Sequence, residues 1–282
     1  MKKGTLFFVM ALFFLLLSYH GVLADHLKVF RVSDGKVISF EEMIGDIKDT
    51  DIILTGELHD SRLHHQLQLD AIRDLTDSGR PVAVGLEMFP KERQPALDGW
   101  IAGSLSEEDF KKIYQESWTQ PWSLYQDIFL FARDNKIPLV ALNVPRDITQ
   151  KVKKSGFLSL TDEELKKLPP GLGCNVDDQY MEFIRSAFMA HKKSDKEFQY
   201  FCEMQLLWDK SMAWYLLEYM KKDPGKTVVV LTGLNHAWKK GIPVQIRQFS
   251  EKSGYKVLLP EVSGIIGPGN MTVQDADYIL LQ

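Results

Sequence analysis

Cysteine is scarce: Cys174 and Cys202 are the two thiols in 282 residues. A disulfide framework is therefore not what stabilises the chain, and a chain of this length buries enough surface to fold without one. The pair can join in an oxidising compartment or stay reduced, and Cys202 sits in an apolar helical pattern that suits a buried thiol. Neither cysteine is near the N-terminus, so none follows the leading apolar segment to carry a lipid. Positive charge is not concentrated either. The net charge is -4, and the densest basic cluster, Lys151, Lys153 and Lys154, reads as a solvated helix end rather than a nucleic-acid surface. Also absent are His-Glu-x-x-His, the phosphate-binding Gly-rich loop ending in Gly-Lys-Ser/Thr, the Gly-x-Ser-x-Gly elbow and Cys-x-x-Cys. Several metalloprotease, nucleotide-hydrolysing, serine-hydrolase and dithiol chemistries are set aside with them.

The chain opens with Lys2 and Lys3, an apolar run from Leu6 to Leu17, and small residues Val22 and Ala24 before Asp25. That is the layout of a signal peptide covering residues 1–24, with cleavage after Ala24, and the apolar run is short for a membrane span. An exported protein of the periplasm or cell envelope is expected. Beyond it, strand and helix patterns alternate. Leu27–Val32 and Lys36–Phe40 flank an Asp34-Gly35 turn. Asp51–Thr55, Pro81–Leu86, Ile137–Asn143 and Lys226–Thr232 are continuous apolar strands, and Lys256–Leu259 and Tyr278–Leu281 close the chain. Continuous apolar strands followed by helices predict an α/β fold, a mostly parallel sheet flanked by helices. Residues 25–282 are expected to form one such domain. Two stretches near 91–131 and 160–220 lack strand signals and are expected as helical insertions forming a smaller helical lobe.

In open α/β sheets, sites form where strands end. Gly56-Glu57-Leu58-His59 follows the first buried strand, and Gly233-Leu234-Asn235-His236 follows the most apolar one. Gly56 is expected to allow a tight exit from its strand, and Asp60 or Ser61 to cap the next helix. Glu87 follows a third strand, where an acidic side chain has little structural reason to be. If the strands are neighbours, His59 and His236 converge on one crevice with Glu57 and Glu87 beside them. Imidazole with carboxylate suits a divalent metal such as zinc, manganese or iron, or acid–base work near neutral pH. These four residues are the expected metal site and, in a hydrolase, the catalytic residues. His64 and His65 lie on the first turns of the following helix and are weaker candidates. His191 is ambiguous, and Asp209, within an apolar helical stretch, reads as a buried polar anchor.

At these residues the chain resembles the ChaN family of haem-binding uptake proteins, part of a wider group with Tiki and erythromycin-esterase-like proteins. The resemblance spans Asp51 to Pro260, through TGELHDSRLHHQLQLD, VGLEMFP, Trp122-Ser123-Leu124-Tyr125, ALNVPRDI, FCEMQLLWDKSMAW and LTGLNHAWKKGIPVQI. It implies a parallel-sheet core with a helical lobe, and haem bound at the surface, stacked within a homodimer and supplied to a haem-uptake system. It further implies a tyrosine iron ligand, for which Tyr125 and Tyr180 are the candidates, with histidines such as His64 and His65 near the haem propionates. The wider group implies instead a metal-dependent hydrolase built on the two Gly-x-x-His segments and a glutamate. The missing lipidation cysteine departs from ChaN lipoproteins and argues for a soluble periplasmic form.

Overall fold

The computed structural model describes residues 27–172, 181, 182, 184, 185 and 194–282. The expected signal segment, Cys174, Tyr180 and His191 lie outside the described residues. Eight strands form one sheet: β1 (Lys28–Arg31), β2 (Lys36–Ser39), β3 (Ile52–Glu57), β4 (Val82–Pro90), β5 (Leu139–Asn143), β6 (Thr227–Gly233), β7 (Tyr255–Pro260) and β8 (Tyr278–Leu280). Their order is β2-β1-β8-β7-β3-β6-β4-β5. The six strands from β8 to β5 run parallel; β1 joins β8 antiparallel, and β2 pairs antiparallel with β1 through the hairpin that Gly35 closes at φ 69°.

Alternation along a strand sends successive side chains to opposite faces. In β3, Ile53 packs on one side while Ile52 and Leu54 pack on the other; in β6, Val229 and Leu231 oppose Val228 and Val230. Every residue of both strands is buried, as a sheet covered on both faces requires. One face carries the helices Phe40–Ile47, Arg62–Asp77, Gln94–Ala102, Glu107–Ser117 and Trp122–Asp134. Its core is aromatic: Trp100 stacks on Phe110 with centroids 4.5 Å apart, and the Trp100 indole N–H donates to Phe129 O at 2.9 Å.

The opposite face is covered by the second half of the long helix Asp195–Lys222, through Met212, Ala213 and Leu216, and by the helix Ile242–Phe249. The first half of the long helix turns instead to the helix Arg146–Ser155, where Ile148, Val152, Phe198 and Cys202 form a smaller core. Cys202 is a free, buried thiol there. The described part of the region near 160–220 thus divides between a small side cluster and the cover of the sheet. Among the described residues no helix is long and apolar enough to cross a membrane.

Two strands extend further than their sequence suggests. β3 continues through Gly56 and Glu57, which pair with Thr232 and Gly233 of β6. Gly56 is therefore inside the strand rather than at its exit, and a Cβ there would stand 2.6 Å from Leu259 Cδ2. β4 continues to Pro90, with its pairing to β5 shifting register between Leu86 and Pro90. Glu87 sits in this irregularity, a device that re-aims a side chain at the end of a ladder.

Candidate functional site

β6 lies between β3 and β4, so the three strand ends that carry Glu57, Gly233 and Glu87 are adjacent at one sheet edge. Glu57, 2% exposed, is the centre of a buried network. Its Oε1 accepts from the Tyr125 hydroxyl and contacts His59 Nδ1 at 2.8 Å; its Oε2 accepts from Gln68 Nε2 at 2.8 Å. His65 Nε2 stands 3.4 Å from the same Oε2, too poorly aligned for a hydrogen bond, and both its ring nitrogens lack one. Burial alone would raise the Glu57 carboxyl. The His59 hydrogen bond and the His65 imidazole overcome that and hold it well below the usual carboxylate range. A charged Glu57 keeps the Nδ1 proton of His59 facing it, which turns Nε2 away toward the sheet edge.

A second network mirrors the first from the other face. His236 follows β6 in the short helix Leu234–Ala237, and its Nδ1 contacts Asp209 Oδ1 at 2.6 Å. Asp209 projects from the long helix and is 1% exposed. Burial would lower the His236 pKa, but the charges of Asp209 and Glu87 and the Asp209 hydrogen bond raise it to about 9. His236 Nε2 is then 3.8 Å from Glu87 Oε1. Glu87 Oε2 accepts from the Thr232 hydroxyl at 2.6 Å and from Gly233 N–H at 2.7 Å.

The two halves meet over Gly233. A Cβ there would lie 3.1 Å from His59 Nε2 and 3.8 Å from Glu87 Oε2. Glu87 raises the His59 pKa from a distance, together with Glu57, against burial and the repulsion of His236. Each imidazole also carries an indole edge-on: Trp118 on His59 at 5.0 Å and Trp208 on His236 at 5.7 Å. His59 is the accessible member, with 35% of its side chain exposed against 8% for His236. The arrangement presents two imidazoles, each tied through Nδ1 to a buried carboxylate, on either side of a third carboxylate.

Several sequence expectations change at this point. Glu57, His59, Glu87 and His236 do come to one edge, but they do not form a metal cage. Glu57 is committed to His59, Tyr125 and Gln68, Glu87 to Thr232 and Gly233, and His236 to Asp209. Among the described residues no group of three or more His, Cys, Asp or Glu is arranged to hold a metal ion. Tyr125 is completely buried, and burial and the Glu57 charge push its hydroxyl far above the ordinary tyrosine range, so it is held protonated inside the network. It is not placed to meet iron at the surface. His65 is enclosed against the Tyr125 ring, with centroids 4.1 Å apart, and His64 is 3% exposed. Neither reaches a surface propionate in this conformation. Ser61, rather than Asp60, caps the following helix by accepting from His64 N at 3.3 Å.

Sequence reasoning did not single out Gln68, Thr232 or Trp118 for this site, and it left Asp209 as a structural anchor. A charged residue inside the apolar stretch Leu206–Ala213 was the available signal for Asp209. Gln68 carries no comparable mark, because its spacing is that of an ordinary helical face.

Gly241 fixes how His236 is presented. A Cβ there would lie 2.5 Å from Asn235 O and 2.6 Å from His236 O, both backbone atoms that cannot swing aside. We expect Gly241→Ala to cost about 1–3 kcal/mol, the range for forced overpacking. It is also expected to shift the His236 ring signals in NMR spectra, whereas an unchanged spectrum would mean that the loop relaxes freely.

A family model described as haem-binding uptake, Tiki superfamily, ChaN matches residues 43–246. Among solved structures, that of cofacial heme binding to ChaN of Campylobacter jejuni aligns with a TM-score of 0.70 and 23% identity, over 90% of this chain and 96% of that one. The type III effector HopBA1 aligns with a TM-score of 0.55 and 11% identity, over 85% of this chain and 90% of that one. At these identities both likenesses concern the fold. The chloroplast protein RETICULATA-RELATED 5 of Arabidopsis thaliana is 25% identical over 273 residues, 87% of this chain, and the chain spans 37% of its length.

Proposed function

The chain belongs to the ChaN family of haem-binding uptake proteins in the Tiki superfamily, and from that membership we propose that it binds haem as an exported protein serving haem or iron uptake. The observation that carries the reading is the family match across residues 43–246. The sheet edge offers features that a flat, largely apolar macrocycle would use. Leu58, next to His59 in the chain, and Leu63, on the following helix, are 40% and 39% exposed, and the half-buried Trp118 stands edge-on to the accessible His59 ring. Tyrosine ligation falls to Tyr180, because Tyr125 is enclosed. Haem would supply the ferric iron and its spectrum; the chain would supply an anionic oxygen ligand and an apolar rim.

Titrating the purified protein with hemin should give a saturable Soret band. Tyr180→Phe should abolish or shift that band, while Tyr125→Phe should leave its position unchanged. No Soret change in the wild-type protein would end the haem reading. Residues 1–24 are proposed as the cleaved signal that places the protein in the periplasm or cell envelope, and a homodimer as the haem-loaded form. The intact mass of the exported protein and its size with and without hemin test both.

A further inference from the structure

His64 belongs to neither imidazole–carboxylate pair, yet its ring is bonded to the loop that carries His59. Its Nδ1 accepts the Leu58 backbone N–H at 2.9 Å, and Leu58 lies between Glu57 and His59. The loop turns back at once, with Ser61 N–H donating to Leu58 O at 2.9 Å and Ser61 Oγ capping the helix at His64 N. The short chain from Glu57 to Ser61 is thus closed on the His64 ring at one end and on its backbone at the other.

The donor pattern specifies the protonation state. A ring nitrogen that accepts an N–H cannot carry a proton, so Nδ1 is bare and the ring is neutral with its proton on Nε2. Nε2 faces the Gln282 carboxamide at 2.8 Å, whose oxygen takes that proton after a half-turn of the amide. An imidazolium has two donors and no acceptor. Protonation would therefore remove the partner of a backbone N–H and set a positive charge against it.

We propose that His64 is a pH-sensitive latch for the loop that carries His59: the neutral ring holds Leu58 and keeps His59 on Glu57, and the protonated ring releases both. The latch is a property of the fold and does not rest on haem binding. The charged and titratable groups around it are Glu57 and Asp60 from β3 and its loop, which favour the proton, and His65 on its own helix, which opposes it. The wall from β7 and β8, Leu258, Pro260 and Leu280, carries no titratable side chain. Burial dominates and lowers the His64 pKa below its ordinary 6.5. For a base depressed in the folded state, the sign is clear. The loop bond is intact at neutral pH, and its contribution is lost as the pH falls below 6.5 toward the folded-state value. His59 and His236 are raised instead and titrate on the other side of that window.

The test uses the full exported chain without hemin. At pH 7.5, nitrogen-15 spectra of the His64 ring should show an unprotonated Nδ1 and a protonated Nε2. The Leu58 amide should then show a step with a midpoint below 6.5, and the His59 ring, whose own protonation lies above 6.5, should show a second step at the same midpoint. His64→Asn, whose Oδ1 can occupy the accepting position without titrating, should keep the neutral-pH Leu58 signal and remove the step. A proton on Nδ1 at pH 7.5 would overturn the proposal in the wild-type protein alone. So would a Leu58 amide that stays put from pH 7.5 to 5, or an unaltered step in His64→Asn. A hemin titration at the two pH values then reports whether the latch reaches ligand binding; a missing Soret band would count against the haem reading and not against the latch.

Discussion

Replacing Asp209 by Ala should destabilise the protein by about 3–5 kcal/mol, the cost of removing one partner from a buried ion pair. His236 is 7% exposed and its Nδ1 has Asp209 at 2.6 Å, so the variant leaves an imidazolium enclosed with only Glu87, 3.8 Å away, to compensate. At roughly 2–4 °C per kcal/mol for a chain of this size, the melting temperature should fall by roughly 6–20 °C. The loss should depend on pH in a defined direction. His236 is raised in the folded state from an ordinary 6.5 to about 9. Its contribution is therefore fully present below 6.5 and disappears as the pH rises through 9. The gap between wild type and Asp209→Ala should be widest near pH 6 and should narrow above pH 9. Thermal unfolding across that range checks it, and a gap independent of pH would show that Asp209 acts by packing alone. Asp209→Asn, which keeps the shape and one hydrogen bond, should fall between the two.

Glu57→Ala should be comparably severe, at about 3–5 kcal/mol. It would leave the Tyr125 hydroxyl, Gln68 Nε2 and the His59 ring without their shared acceptor, two of them wholly enclosed. Glu57→Gln should be much milder, for a specific reason. The new amide can still accept from Tyr125 and His59 through its oxygen, and its N–H₂ then faces Gln68. A half-turn of Gln68 brings round its own Oε1, which has no partner in the wild type, to accept it, and gives up only the longer bond from Gln68 Nε2 to Thr55 O at 3.3 Å. The charge would nonetheless be gone, so the His59 pKa should fall from its raised value, because burial then dominates. Urea unfolding measures the first effect and a histidine NMR titration the second. Equal destabilisation by Ala and Gln would refute the proposed exchange of Gln68.

The parallel core and the strand ends that carry its polar residues were legible from the order of the amino acids alone. A run such as Val228–Leu231 is apolar at every position, so it is stable only with cover on both faces, and such a strand ends where glycine and charge begin. That logic located Glu57, His59, Glu87 and His236. It carried no information on strand order, and only the placement of β6 between β3 and β4 made those residues neighbours. Packing also set which side each side chain serves. Tyr125, which the family resemblance offered as an iron ligand, is instead turned inward by the aromatic core and bound to Glu57; Asp209 arrives at His236 from a helix on the opposite face. Periodicity reports the face a residue shares with its own element, whereas a hydrogen-bond partner far along the chain is selected by packing. The bonds that tie Gln68, Tyr125 and Asp209 into the site were for that reason what the sequence did not show.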